Sequence, residues 1–267
     1  MSYTIVKITT YYKAFLNDHY EKHPEVKQWT FSKQYEHLML QAFALSDYYS
    51  REFTKLGVKA YEIIANAQPL QQAWAIENDV KGDAAEIVEA QLAKYKPNVL
   101  IFEHALFFDV EWIESLRAKI PSLKLILGYC CSPFSSQQLN QFKVFDAVIV
   151  CSKLFFDDFN SRGKKSIELN HAFEPSILQR IDVDNPFPES DFIFIGSIWA
   201  GKGFHEKRTI ILEKLYGLGI TPDFYGNIDY TPPFQLAGKQ LIWYVANLLK
   251  KSGNYSFDSH LPTFKKA

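Results

Sequence analysis

Several classes of protein are excluded by what this sequence has little of. It holds three cysteines, Cys130, Cys131 and Cys151, two of them adjacent. They are too few and too unevenly spaced for the disulfide framework of a small secreted domain, so reduced thiols are the expected state. Neither sign of charge is in excess: 29 Lys and Arg stand against 30 Asp and Glu, a formal net charge of −1. That removes the broad positive field of a nucleic-acid-binding protein, and any anionic ligand must be met by local groups. No apolar stretch approaches the about 20 residues that cross a bilayer. The opening Met1-Ser2-Tyr3-Thr4 lacks the basic and apolar regions of a secretory leader. The expectation is a cytoplasmic protein without a transmembrane segment, peripheral membrane contact being left open.

Chemical motifs are sparse as well. There is no Gly-x-Ser-x-Gly element for nucleophilic hydrolysis. Of the seven histidines only His19 and His23 stand at a ligand-like spacing, in a polar stretch that reads as surface, so no metal is expected. The stretch Gly196-Ser197-Ile198-Trp199-Ala200-Gly201-Lys202-Gly203 approaches a P-loop, but Gly203 stands where the magnesium-binding hydroxyl belongs. A phosphotransferase is therefore the least favoured reading.

What is present is a globular composition, 47% hydrophobic and 22% charged, with 22 Phe and 15 Tyr that read first as a core of large side chains. Short β-branched or apolar runs at 4–9, 58–64, 98–102, 123–127, 147–150 and 166–169 read as strands. Apolar periodicity between them predicts helices over 31–56, ending at Gly57, and near 69–76, 83–95, 110–119, 133–142 and 153–161. Near-continuous apolar strands between helices imply an α/β fold, a Rossmann-like doubly wound parallel sheet covered on both faces. Residues 182–190 are polar with two prolines and read as a linker. It would join an N-terminal domain, 1–181, to an incomplete second Rossmann-like unit, 191–267, with strands at 191–195 and 223–225 and helices at 206–216 and 235–249.

In such sheets ligands bind beyond the carboxyl ends of the strands, so the candidate residues are those of the loops that follow strands. They include Thr10 and Tyr11; Asn66 and Gln68; Glu103 and His104; Ser132; His171 and Glu174; Gly196 and Ser197; and Tyr225 and Asn227. An imidazole and a carboxylate together, His104 and Glu103, suit general-base chemistry on a hydroxyl. The glycine-rich turn beside Lys202 and Arg208 suits a diphosphate.

Four stretches in order, Leu56–Ala75, Phe145–Ser152, Leu169–Pro175 and Phe192–Ser197, are similar to segments of the GT-B glycosyltransferases. The chain most resembles the bacterial group that includes the CgeB spore-maturation proteins. The resemblance implies two Rossmann-like domains across a cleft and transfer of a sugar from a nucleotide-sugar to a glycan, lipid-linked or protein acceptor. It implies no tightly bound cofactor or metal. By matching position, it implies that His171 and Gly196-Ser197 border the cleft and that His104 sits near the acceptor. Of the post-strand residues, Thr10, Tyr11, Asn66, Gln68 and Ser132 are expected to bind acceptor, with His104 and Glu103 catalytic. Donor binding is expected from His171, Glu174, Gly196, Ser197, Lys202, Arg208, Tyr225 and Asn227. Two departures stand out. The loop Gly128-Tyr129-Cys130-Cys131-Ser132-Pro133 lacks a histidine found in many relatives, and the acidic segment that grips the ribose has no counterpart. A further chain or C-terminal region is then expected to complete the donor site, and this chain alone is expected to be feeble or inactive. The alternative is a noncatalytic module that binds carbohydrate or a partner.

Overall fold

The computed structural model describes residues 3–181, 192–198 and 206–226, and the chain divides into two compact units between Ile181 and Asp182. The first unit runs β1 (Thr4–Thr9), α1 (Lys13–Lys22), α2 (Phe31–Met39), α3 (Tyr48–Lys55), β2 (Lys59–Ile64), α4 (Gln68–Glu77) and α5 (Ala84–Tyr95). It continues through β3 (Val99–Phe102), α6 (Val110–Lys119), β4 (Leu125–Cys130), α7 (Ser136–Leu139), β5 (Ala147–Val150), α8 (Lys153–Ser161) and β6 (Ser166–Glu168).

All six strands are parallel, in the order β2-β1-β3-β4-β5-β6. Because side chains alternate across a strand, each strand is read twice, once per face. Val6, Ile8, Ile63, Leu100, Phe102, Ile126, Val148 and Val150 meet α5, α6 and α8 in the main core. The largest of its fully buried side chains, Phe102, Phe142 and Phe159, each contribute roughly 1.5–3 kcal/mol of burial. On the other face Ile101, Leu127, Ala147 and Ile149 form a second cluster, and α3 covers the β1–β2 end. A third core gathers Tyr11, α1, α2, Ile64 and the start of α4. This is an α/β unit with a six-stranded parallel sheet flanked by helices.

Local signals place several elements where they were expected. Asp83 caps α5 in a full capping box with Glu86, and Asp109 caps α6 by accepting from the Trp112 amide. The helix expected over 31–56 is two helices. Ala42, Ala44 and Ser46 lie at φ 52°, 53° and 41°, a left-handed conformation that ends one helix and re-aims the next. α2 buries Leu38 and Met39, and α3 keeps Tyr48, Tyr49 and Phe53 half-buried, so the apolar periodicity crosses the break. Gly57, at φ 78°, closes α3 with amide bonds from Gly57 to Thr54 O and from Val58 to Phe53 O, a Schellman ending. The strand expected at 123–127 runs instead over Leu125–Cys130, because its pairing with β3 and β5 carries it through Gly128 and Tyr129. The helix expected over 133–142 is one α turn followed by a 3₁₀ segment, Asn140–Val144. The ordered helix α1 was not anticipated.

In the second unit β7 (Ile193–Ile195) pairs in parallel with β8 (Asp223–Tyr225) across the helix α9 (Glu206–Gly217), one βαβ turn. The expected linker 182–190 and the helix at 235–249 lie outside the described residues. Among the described residues no helix is long and apolar enough to cross a membrane.

Candidate functional site

The sheet order reverses at β1: the chain lays β2 on one side of it and β3 on the other. Loops leaving β1 and β3 therefore diverge, and the crevice beyond their carboxyl ends is the ligand position of an open α/β sheet. The register pairs Ile8 with Phe102, so the next residues, Thr9 and Glu103, then Thr10 and His104, emerge side by side. The half-buried His104 presents Nδ1 to Thr10 Oγ1 at 3.3 Å and to Thr9 Oγ1 at 3.4 Å. Thr9 donates its own hydrogen to the Thr10 carbonyl, 3.4 Å away. A hydroxyl can donate one hydrogen and accept two, so the two threonines can serve His104 Nδ1 in either tautomer. With the proton on Nδ1, donated to a threonine oxygen, Nε2 would carry the lone pair a general base requires. Phe107 meets the imidazole edge-on at 5.8 Å.

Glu103 does not share that exposure. Its carboxylate turns inward to Lys7 Nζ at 3.0 Å, and the same ammonium meets Glu62 at 3.1 Å. Lys7 also donates to Ser46 O at 3.3 Å and sits 5.4 Å from the centre of the Tyr49 ring. The break between α2 and α3 is what brings the Ser46 carbonyl there. Burial pushes Glu62 up to about 7, more than Lys7 pulls it down. Burial would lower Lys7, but the two carboxylates outweigh it and raise the ammonium. A charged layer thus lies directly under the β1–β3 crevice, where Glu103 holds the strand ends in place.

Of the residues expected to bind an acceptor, Thr10 alone touches His104. Tyr11 is 3% exposed, a core side chain beside Met39. Asn66 pins the same loop by accepting from the Tyr11 amide at 2.8 Å and donating to its carbonyl at 2.7 Å. Gln68 is exposed at the start of α4, and Ser132 is exposed with its carbonyl accepting from Cys130 Sγ at 3.4 Å.

Comparison with known proteins finds similarity among solved structures. The crystal structure of a glycosyltransferase from Rickettsia africae ESF-5 is similar to this chain at 13% identity and a TM-score of 0.40, over 97% of this chain and 69% of that one. No family model matches the sequence, and no curated protein matches it.

A second group of reactive side chains stands at the carboxyl ends of β4 and β5. The register pairs Cys130 with Val150, so Cys131 and Cys151 follow as neighbours, with Cα atoms 5.5 Å apart and their sulfurs joined in a disulfide. The expectation of three reduced thiols is corrected by this pairing: one parallel βαβ turn converts a separation of 20 residues into adjacency. His171, exposed after β6, joins them, and the ligand atoms of all three lie within 4.8 Å of one another. Tyr129 Oη is 3.4 Å from His171 Nδ1. Cys130 points the other way, into the main core. Glu174 is engaged elsewhere: it caps Pro175–Arg180 through the Ser176 amide at 3.0 Å and pairs with Arg51 at 2.7 Å.

The stretch around His19 is surface at Asp18, Glu21 and Lys22, and the His23 side chain is 40% exposed, but His19 itself is not. His19 is 4% exposed, and its ring lies 5.7 Å from that of His23 and 5.1 Å from that of His37. The apolar side of α1, with Leu16 and Tyr20, is what carries it inside.

In the second unit Gly196 follows β7, its amide donating to Tyr225 O at 2.9 Å, and Arg208 Nη1 donates to Ser197 O at 3.3 Å. A Cβ at Gly226 would overlap the Gly196 carbonyl, so the two post-strand turns touch backbone to backbone. The Tyr225 ring is exposed. Lys202 and Asn227 lie outside the described residues.

Proposed function

We propose that this chain transfers a glycosyl group from a nucleotide-sugar to the hydroxyl of a glycan, lipid-linked or protein acceptor. The observation that carries the reading is the switch-point imidazole of His104, held through Nδ1 by Thr9 and Thr10. In the proposed step the acceptor oxygen bonds to the anomeric carbon and its proton passes to His104 Nε2. The bond from that carbon to the diphosphate oxygen breaks, and a nucleoside diphosphate leaves. Groups of the second unit, Arg208 with Lys202 and the turn after β7, are assigned to the leaving charge, where fixed donors and cations act most strongly. The order of segments that resembles the GT-B group supports the same division of labour.

The test is calorimetry of UDP-, GDP- and dTDP-sugars against this chain and a longer version, followed by assay of nucleoside diphosphate release. One donor class should bind. Replacing His104 with Ala should lower transfer by about 10²–10⁴-fold while leaving donor binding unchanged. No response from either protein overturns the proposal, and carbohydrate binding without any donor binding replaces it with the noncatalytic module.

A further inference from the structure

We propose that Cys131, Cys151 and His171 form a binding site for a thiophilic divalent cation of the zinc type, opened by reduction of the Cys131–Cys151 pair. The site goes beyond glycosyl transfer and does not depend on it.

Three observations converge. Two sulfurs and an imidazole from three separate loops have their ligand atoms within 4.8 Å of one another. Zinc bonds of about 2.3 Å to sulfur and about 2.0–2.1 Å to nitrogen in a tetrahedron place the ligand atoms roughly 3.5–3.8 Å apart, so the two sulfurs must part once reduced, while the imidazole nitrogen already lies within 4.8 Å of both. The residues are also the right kind, since two thiolates and an imidazole select zinc over the hard cations that oxygen ligands take. Finally, the set has outer support. Tyr129 Oη lies 3.4 Å from His171 Nδ1, so a cation held through Nε2 leaves the other ring nitrogen a partner, as ligating histidines generally have. Cys131 and Cys151 are half-buried and His171 is exposed, which leaves a fourth position accessible to water or an anionic oxygen.

The sheet makes the site. Cys131 and Cys151 each stand one residue past a paired strand position, so their backbones are held as neighbours whether or not the sulfurs are bonded. Disulfide and metal site are alternative states of one scaffold. A dithiol reductant supplies two electrons and two protons, becomes a disulfide itself, and leaves two thiols here. The cation then displaces both thiol protons as it binds the thiolates.

The experiment uses the whole chain, reduced under anaerobic conditions and freed of reductant, then titrated with Co²⁺. The expected result is one Co²⁺ per chain, with a thiolate-to-cobalt charge-transfer band and the visible bands of tetrahedral cobalt, all displaced by Zn²⁺. Cys131→Ser and Cys151→Ser should each abolish the two-thiolate spectrum, His171→Ala should weaken binding at least tenfold, and Tyr129→Phe should weaken it about tenfold. Cys130→Ser should bind as the parent does, because that thiol faces the core. Circular dichroism of each variant separates lost binding from lost fold. The proposal is overturned if the reduced chain binds no cobalt, if the spectrum survives in Cys131→Ser or Cys151→Ser, or if only Cys130 can be alkylated in the presence of reductant.

Discussion

Lys7 is the residue whose replacement should be felt most. Its side chain is 4% exposed and stands between Glu62 and Glu103, and removing one partner of a buried ionic group leaves charge without compensation. Lys7→Met should therefore cost about 3–5 kcal/mol in urea unfolding. Glu62 and His19 give opposite pH dependences. The pKa of Glu62 is raised from 4.5 to about 7, so its contribution is full below pH 4.5 and declines as the pH rises to about 7, where the unfolded chain has already lost the proton. The pKa of His19 is lowered by burial first, and then by His37 and His23, from 6.5 to about 4. Its contribution is full above pH 6.5 and declines as the pH falls toward 4. Between pH 4.5 and 6.5 the two slopes oppose. Melting temperature should climb more steeply with pH in Glu62→Gln than in the parent over that window, and equal slopes would count against the assignment. At this scale the sequence marked His104 by its place after an apolar strand. Lys7 and Glu62 could not be found that way, because a charge inside a strand is read as solvent-facing until the strand beside it is known.

Helix ends were the most legible features at the scale of elements, since a cap is a local bargain between one side chain and the amides next to it. Asp83 accepts from the Ala85 and Glu86 amides at 2.9 and 3.0 Å, and Glu86 returns to the Asp83 amide at 2.7 Å. Asp83→Ala should lower stability by about 1 kcal/mol, measured by the same urea titration, with no change in the cobalt spectrum or in donor binding. The helices at 110–119 and 153–161 fall where periodicity predicted them. The helix over 31–56 did not, because nothing in side-chain periodicity registers a change of backbone hand at Ala42, Ala44 and Ser46. That break is also what aims the Ser46 carbonyl at Lys7.

For the whole molecule, the first unit carries a complete six-stranded sheet and its own cores, so a protein ending at Ile181 should fold alone. A single cooperative urea transition without dye binding to exposed apolar surface is the expected result. Persistent dye binding would show that residues beyond 181 finish its core. At this scale the sequence by itself determined the class of fold, because alternating apolar strands and amphipathic helices can bury themselves only as a covered parallel sheet. It also put His104, Thr10 and His171 at strand ends. Only the tertiary structure decided which strand ends are neighbours. Strand order put the reversal at β1 and so joined Thr9 and Thr10 to His104. Strand register set Cys131 against Cys151 and drew in His171 from a third loop. Composition and periodicity act over a few residues, whereas order and register are set by packing across the whole sheet.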